Sequence, residues 1–216
     1  VLADPKLERF AANTKTGEND NWGGSVALSS AMSSVGAFGF SGPASRDAAA
    51  SVALLAGDQS MRISGGGGGT GLVLAEVYDA TPEAAYTANT PRLVNLSLLK
   101  DSAGGITVGF VVAGGGEKRI LARAVGPGLS AFGLLGAAAD PKLTLYAGDR
   151  EIAANDNWGG GAELVAAISQ AGAFGLTPNS RDAALLASLS AGSFTVRVET
   201  SDSTGTVLVE LYELPQ

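Results

Sequence analysis

The hexapeptide Asn-Asp-Asn-Trp-Gly-Gly occurs twice, at Asn19–Gly24 and Asn155–Gly160. It holds the residue types that most invite a chemical reading. The oxygens of Asn19, Asp20 and Asn21, or of Asn155, Asp156 and Asn157, lie beside a glycine turn and could hold Ca²⁺, with Asp20 and Asp156 as the carboxylate donors. Trp22 and Trp158 are the only two tryptophans, and an exposed indole stacks well on a sugar. A calcium loop of the EF-hand type needs more alternating oxygen ligands and a glutamate at its twelfth position, and the hexapeptide lacks that pattern. Turn chemistry explains every residue in it. Asn and Asp bond to nearby backbone in Asx turns, glycine accepts the angles of a tight turn, and Trp plugs a core beside a helix start. A framework role is the expectation, with calcium and a glycan as the alternatives.

A second group also recurs. Ser45-Arg46-Asp47 and Ser180-Arg181-Asp182 each precede an apolar run. Each copy further places a glutamate inside its last apolar run, Glu76 in LVLAEVY and Glu210 in VLVELY. A buried carboxylate needs a partner. The expected pairs are Arg46 or Arg62 with Glu76, and Arg181 or Arg197 with Glu210. The catalytic alternative is a glycosidase with paired carboxylates, but no deep-pocket signature accompanies these residues. The run GGGGGTG formally contains G-x-G-x-x-G, yet no strand–helix unit with a later acidic residue surrounds it. GPGLSAFG lacks the lysine of a phosphate loop. Asn95-Leu96-Ser97 fits a glycosylation sequon but sits in an expected strand.

Several reactions fall away on composition. The 216 residues include no His and no Cys. The usual general base, the commonest zinc ligand, the Ser-His-Asp triad and any thiolate site are therefore missing. The net charge of −7 argues against nucleic acid and against anionic membranes. No apolar run reaches the roughly 18 residues of a membrane-spanning helix. The chain opens with VLADPKLERF, without an initiator Met, so a mature, processed or trimmed chain is expected.

These residues are positioned by a duplication. Shifting the chain by 136 residues sets Ala3–Leu7 on Ala139–Leu143, the two hexapeptides on each other, and Gly36–Gly39 on Gly172–Gly175; 19 of 37 positions from 3 to 39 are identical. Dropping one residue, then another, aligns Ser45–Ala49 with Ser180–Ala184, and Thr70–Tyr78 with Thr204–Tyr212. The second copy spans 91–216. The first spans 1–82 and contains nothing that matches 91–137, a head of three expected strands; a fragment of a longer repeat array, a late start of the sequence and strands from another subunit all account for this. Residues 83–90 read as a linker.

Alternating apolar residues between glycine turns predict strands at Leu93–Leu99, Ile106–Ala113, Arg119–Val125, Lys142–Tyr146, Ala183–Leu189, Phe194–Thr200 and Thr206–Glu213. VVAGGGEKRILA reads as a hairpin about Gly114–Gly116, and Gly65–Gly69 as the hairpin loop of the last strands of copy one. Leu28, Met32 and Val35, and likewise Leu164, Ile168 and Ala171, predict one helix per copy, with the hexapeptide's Asn and Asp as caps. The fold class expected is all-β: tandem β-sandwich or jelly-roll-like modules, each with a short helix, the first incomplete.

The strings LVNLS, GFVVAGGGEKRILARAVGPGLSAFG, ADPKLTLY, NDNWGG, SRDAALLASLSAGSFTVRVE and TGTVLVELYE, in this order, resemble a repeated module of large secreted proteins from environmental, notably verrucomicrobial, bacteria. AGSFTVRVE is also similar to β-sandwich modules appended to secreted enzymes, such as the bacterial pre-peptidase C-terminal type. The resemblance covers copy two and the last two-thirds of copy one. It implies an extracellular or cell-surface β-sandwich with a structural, adhesive or accessory role, and no catalytic residue. Together with the headless first copy, this leads to the expectation of a non-enzymatic fibre, filament or adhesin subunit. Its partner would be another copy of itself, joined head to tail through β-strands. A carbohydrate-binding accessory module is the alternative, and it requires exposed tryptophans.

Overall fold

The computed structural model describes residues 1–87, 89–201 and 203–215. Ala88, inside the stretch read as a linker, lies outside the described residues, as do Asp202 and Gln216. The chain divides into two compact units, Val1–Arg92 and Leu93–Gln216. Their described strands are arranged in three antiparallel sheets.

Unit 1 holds β1 (Pro5–Ala11), β2 (Thr14–Asn19), α1 (Val26–Ser34) and β3 (Gln59–Gly65). Its one sheet has the order β2-β1-β3. Unit 2 holds β4 (Asn95–Asp101), β5 (Ile106–Val112), β6 (Lys118–Val125), β7 (Pro141–Ala147), β8 (Arg150–Asn155), α2 (Ala162–Gln170), β9 (Ala183–Leu189), β10 (Gly192–Thr200) and β11 (Thr206–Glu213). Two four-stranded sheets, β5-β10-β7-β8 and β4-β11-β6-β9, face each other. This is an all-β sandwich.

The strand period of two sorts the side chains of unit 2 onto two cores. Val108, Leu143, Leu145, Val196 and Val198 meet Ile120, Leu185, Val207 and Val209 between the sheets. Alternate residues of the second sheet, including Leu121, Val125 and Ala184, point away from the first. They are covered by Trp158, Ile168 of α2, Leu129, Leu176 and Leu214. Each Val or Leu buried this way contributes about 1.5–3 kcal/mol.

Neither expected hairpin exists. β5 pairs with β10 and β6 with β9 and β11, so the Gly114–Gly116 turn carries the chain from one sheet to the other. β10 and β11 likewise lie in different sheets. In unit 1, β3 ends at Gly65 and a 3-10 turn follows at Gly66–Gly68. No strand forms among residues 70–80. The expected caps are also different. Ser25 caps α1, its hydroxyl accepting from the Leu28 amide at 3.4 Å, and no side chain caps α2 behind Gly161.

The two units share local bonds but differ in what surrounds them. The β1-β3 pairing matches that of β7 with β10. Leu2 N donates to Leu72 O at 2.7 Å, as Ala138 N does to Thr206 O at 3.0 Å. The stretches that match β9 and β11 are not strands in unit 1. In unit 2 those strands lean on β6, and β11 on β4 as well. Residues 1–92 contain no counterpart of either. The cost is visible in exposure. Leu54 is 48% exposed where Leu189 is 5%, Val73 46% where Val207 is 0%, and Val77 52% where Leu211 is 6%.

The outer face of the unit 1 sheet is tied by charge instead. Lys15 Nζ donates to Glu8 Oε1 at 2.5 Å, and Arg62 donates to Oε2 through Nε at 2.9 Å and Nη2 at 2.5 Å. Lys15 first, then Arg62, holds the Glu8 carboxyl at about 2, against an ordinary 4.5. A carboxyl lowered on folding stabilises above its unfolded value, and that stability is lost as pH falls through the folded one. The β1-β3 amide signals of unit 1 in NMR spectra should therefore weaken between pH 4.5 and about 2. Glu8→Gln should remove this step; an unchanged profile would refute the role of Glu8.

Candidate functional site

The most informative site begins with Arg123, near the middle of β6, whose side chain is 0% exposed. Its neighbours in KRILARAV alternate between the two cores of unit 2, and the pleat places Arg123 on the face turned to α2 and Trp158. The register sets it directly opposite Glu210 on β11. Its Nε donates to Glu210 Oε2 at 3.0 Å and its Nη2 donates to the same oxygen. Nη1 donates to the Phe174 carbonyl at 2.6 Å. The guanidinium lies 4.4 Å from the Phe174 ring centroid and 5.9 Å from that of Tyr212. Glu210 Oε1 accepts from the Tyr212 hydroxyl at 2.6 Å and from Ser97 Oγ at 3.4 Å. Burial first, then the bond to Glu210, pushes the Tyr212 hydroxyl well above its ordinary range. The charges are thus paired, hydrogen-bonded and roofed by aromatic rings, which is what a buried ion pair requires.

This corrects the expected pairings. Arg181 bonds Asp140 at 3.0 Å and Arg197 bonds Glu199 at 2.7 Å, so neither meets Glu210. Arg197 stands on β10, in the sheet that does not contain β11. In unit 1, Arg46 bonds Asp4 at 3.0 Å and Arg62 bonds Glu8, so neither meets Glu76. Among the described residues, Glu76 accepts only from the Tyr78 hydroxyl, at 3.1 Å. Arg123 was legible in principle, since an arginine in mid-strand among apolar residues needs a carboxylate as much as Glu210 needs a cation. Its register with Glu210 was not.

The hexapeptides and the Ser-Arg-Asp turns do come together, as a stitch. Asn155 Oδ1 accepts from Ala184 N at 3.0 Å, and Asn19 Oδ1 from Ala49 N at 3.1 Å. The side-chain amides of Asn155 and Asn19 donate to the carbonyls of Asn157 and Asn21, both at 3.1 Å. The backbone amides of Trp158 and Trp22 donate to the carbonyls of Asp182 and Asp47, both at 2.9 Å. The indole N–H of Trp158 donates to Thr177 O, and that of Trp22 to Gly42 O. The Asn side chains thus hold the turn to the following segment and do not cap a helix. Trp158 is 4% exposed and Trp22 is half-buried. Asp20 and Asp156 are exposed. Among the described residues no group of three or more Asp or Glu is placed to hold a metal.

Asp182 marks where the two stitches diverge. Its Oδ1 accepts from Gly126 N at 2.9 Å and Gly128 N at 3.1 Å, and its Oδ2 from Ser180 Oγ at 2.6 Å. Gly126 has no room for a side chain, because a Cβ there would stand 2.2 Å from Ala138 O. Asp47 keeps the Ser45 bond. The Gly-Pro-Gly turn belongs to the head segment, which unit 1 does not contain.

A shallow cleft of about 430 Å³ in unit 2 is bordered by Asp140, Lys142, Asp156 and Glu199. Its carboxylates lie apart from the Arg123–Glu210 site.

Arg123→Met leaves the Glu210 charge buried and should cost unit 2 about 3–5 kcal/mol in urea denaturation. Adding Glu210→Gln should recover part of that loss; additive losses would rule out a coupled pair. Asp182→Ala should cost about 1–3 kcal/mol by stranding the buried Gly126 amide and the part-buried Gly128 amide. Asp47→Ala should cost clearly less in the same assay.

No family model matches the chain, no curated protein matches it, and no solved structure matches it.

Proposed function

We propose that this is a non-enzymatic extracellular structural protein, a subunit of a surface fibre, filament or adhesin, in which β-strand contacts from a neighbour complete unit 1. One observation carries the reading. The apolar stretches of unit 1 that match β9 and β11 are exposed, while in unit 2 the same stretches are buried strands. Exposed apolar stretches outside any sheet are ready-made docking surfaces. Strand addition satisfies them through main-chain bonds and alternate side-chain pockets. A contact of this kind is heterologous, with different surfaces on the two partners, and such contacts propagate.

The composition fits. His and Cys are absent, and Gly reaches 31 residues in 216. The extracellular setting rests on the resemblance to secreted bacterial modules. The glycan-binding alternative is weaker, because Trp158 is buried and its indole N–H is engaged. Any sugar platform would rest on Trp22 alone.

Light scattering of the purified chain across a concentration series, with electron microscopy of the same samples, tests this. A ladder of oligomers or filaments is expected. A monodisperse monomer at every concentration would overturn it.

A further inference from the structure

Unit 2 contains the strands β4, β5 and β6 that have no counterpart in unit 1. We propose that unit 1 is a receptor for a three-strand segment of the β4–β5–β6 type, supplied by a neighbouring module, whose third strand carries an arginine that pairs with Glu76. This inference rests on the strand-completion reading and names its partner by chemistry.

Three observations specify the segment. The first is charge. Every group that grips Arg123 in unit 2 has a counterpart of the same type in unit 1: Phe38 for Phe174, Glu76 for Glu210 and Tyr78 for Tyr212. The hydroxyl–carboxylate bond between Tyr212 and Glu210 is already made between Tyr78 and Glu76. Phe38, Glu76 and Tyr78 are all exposed. A sequence that keeps a Glu and a Tyr on a stretch of otherwise apolar residues, and a Phe at the position matching Phe174, is suited to a guanidinium. Lysine is the poorer fit, since three directions of donation and a flat face are used.

The second is backbone. Asp47 and Ser45 repeat Asp182 and Ser180, and in unit 2 the free oxygen of that aspartate takes two amides of a Gly-Pro-Gly turn. The incoming segment must end in a turn that offers the same two amides. The third is apolar patterning. Leu54, Val73 and Val77 stand at the positions whose unit 2 counterparts face the first sheet. The segment's third strand must lie between the stretches 48–54 and 72–78, as β6 lies between β9 and β11.

A second copy of this chain lending its own β4–β6 is the poorer donor. Those strands supply two of the four in one sheet of unit 2 and one of the four in the other. Lending them would open one sandwich to close another. The donor is a segment beyond that requirement. A charge departs from unit 2: Arg9 stands where Leu145 is buried in the core. It lies over Gly17, where a Cβ would come 2.2 Å from Nη2, a route that carries its charge toward the edge strand β2.

The test supplies the segment within the full chain by placing a second copy of residues 91–136 ahead of Val1, the junction that unit 2 has at Ala137. Hydrogen exchange is followed by mass spectrometry. Amides of 48–54 and 72–78 should slow about 100-fold or more, toward the protection of 183–189 and 206–213. R123M in the added copy alone, or Glu76→Gln, should abolish most of that protection, while Glu83→Gln should not. The same extended chain with Arg9→Leu guards against a failure caused only by that residue. No slowing in either version would overturn the proposal, as would slowing indifferent to the arginine. Loss of protection in 95–125 of the unmodified chain on self-association would instead establish lending by a second copy and refute a separate donor. A monomeric unmodified chain would sink the fibre reading while leaving the exchange result to decide the segment.

Discussion

A guanidinium with no exposure to water sits under the helical layer of unit 2, and its partner on the next strand is a carboxylate nearly as deep. Stranding either charge would cost several kcal/mol. Register between β6 and β11 is therefore held twice, by the hydrogen-bond ladder and by the Arg123–Glu210 pair. A one-residue slip of β6 would turn Arg123 into the core between the sheets and leave Glu210 buried without it. The Phe174 carbonyl then ties the same guanidinium to the loop after α2. The second layer of unit 2 is organised about this point.

β6 has a second consequence. It is the central connection of its sheet, flanked by β9 and β11, and its Gly126 and Gly128 amides receive the Asp182 carboxylate. Where no such strand is present, neither neighbour becomes a strand, whatever its side chains. Unit 1 shows this directly. VLVELY is a strand in unit 2, while LVLAEVY, with the same alternation and the same Glu and Tyr, is exposed and forms no strand. β propensity is the capacity to fit between neighbours. The β2-β1-β3 sheet forms because its three strands lie within residues 5–65 and need only each other.

The stitch between hexapeptide and Ser-Arg-Asp turn behaves differently. It forms in both units with bonds of nearly equal length. Its partners lie within about 30 residues of each other, so local chain closure suffices. Repetition of a motif in a duplicated chain thus reports framework where the bonds are local. Repetition of Glu76 and Glu210 does not carry the same bonds: Glu210 is buried against Arg123, while Glu76 is exposed and accepts from Tyr78.

The sequence alone determined the all-β class, the duplication, and the places of seven strands and two helices in outline. These follow from side-chain periodicity and turn chemistry, which are properties of adjacent residues. It did not reveal β8, because Arg150–Asn155 is short, polar and half-exposed at a sheet edge. It also misassigned both hairpins and all four arginine partners. Which strand lies beside which, and so which charge meets Glu210, depends on the chain crossing between sheets at its glycine turns. Many pairings share the same alternation. Only the packing of two sheets and a helix layer, with one arginine needing one carboxylate, selects among them.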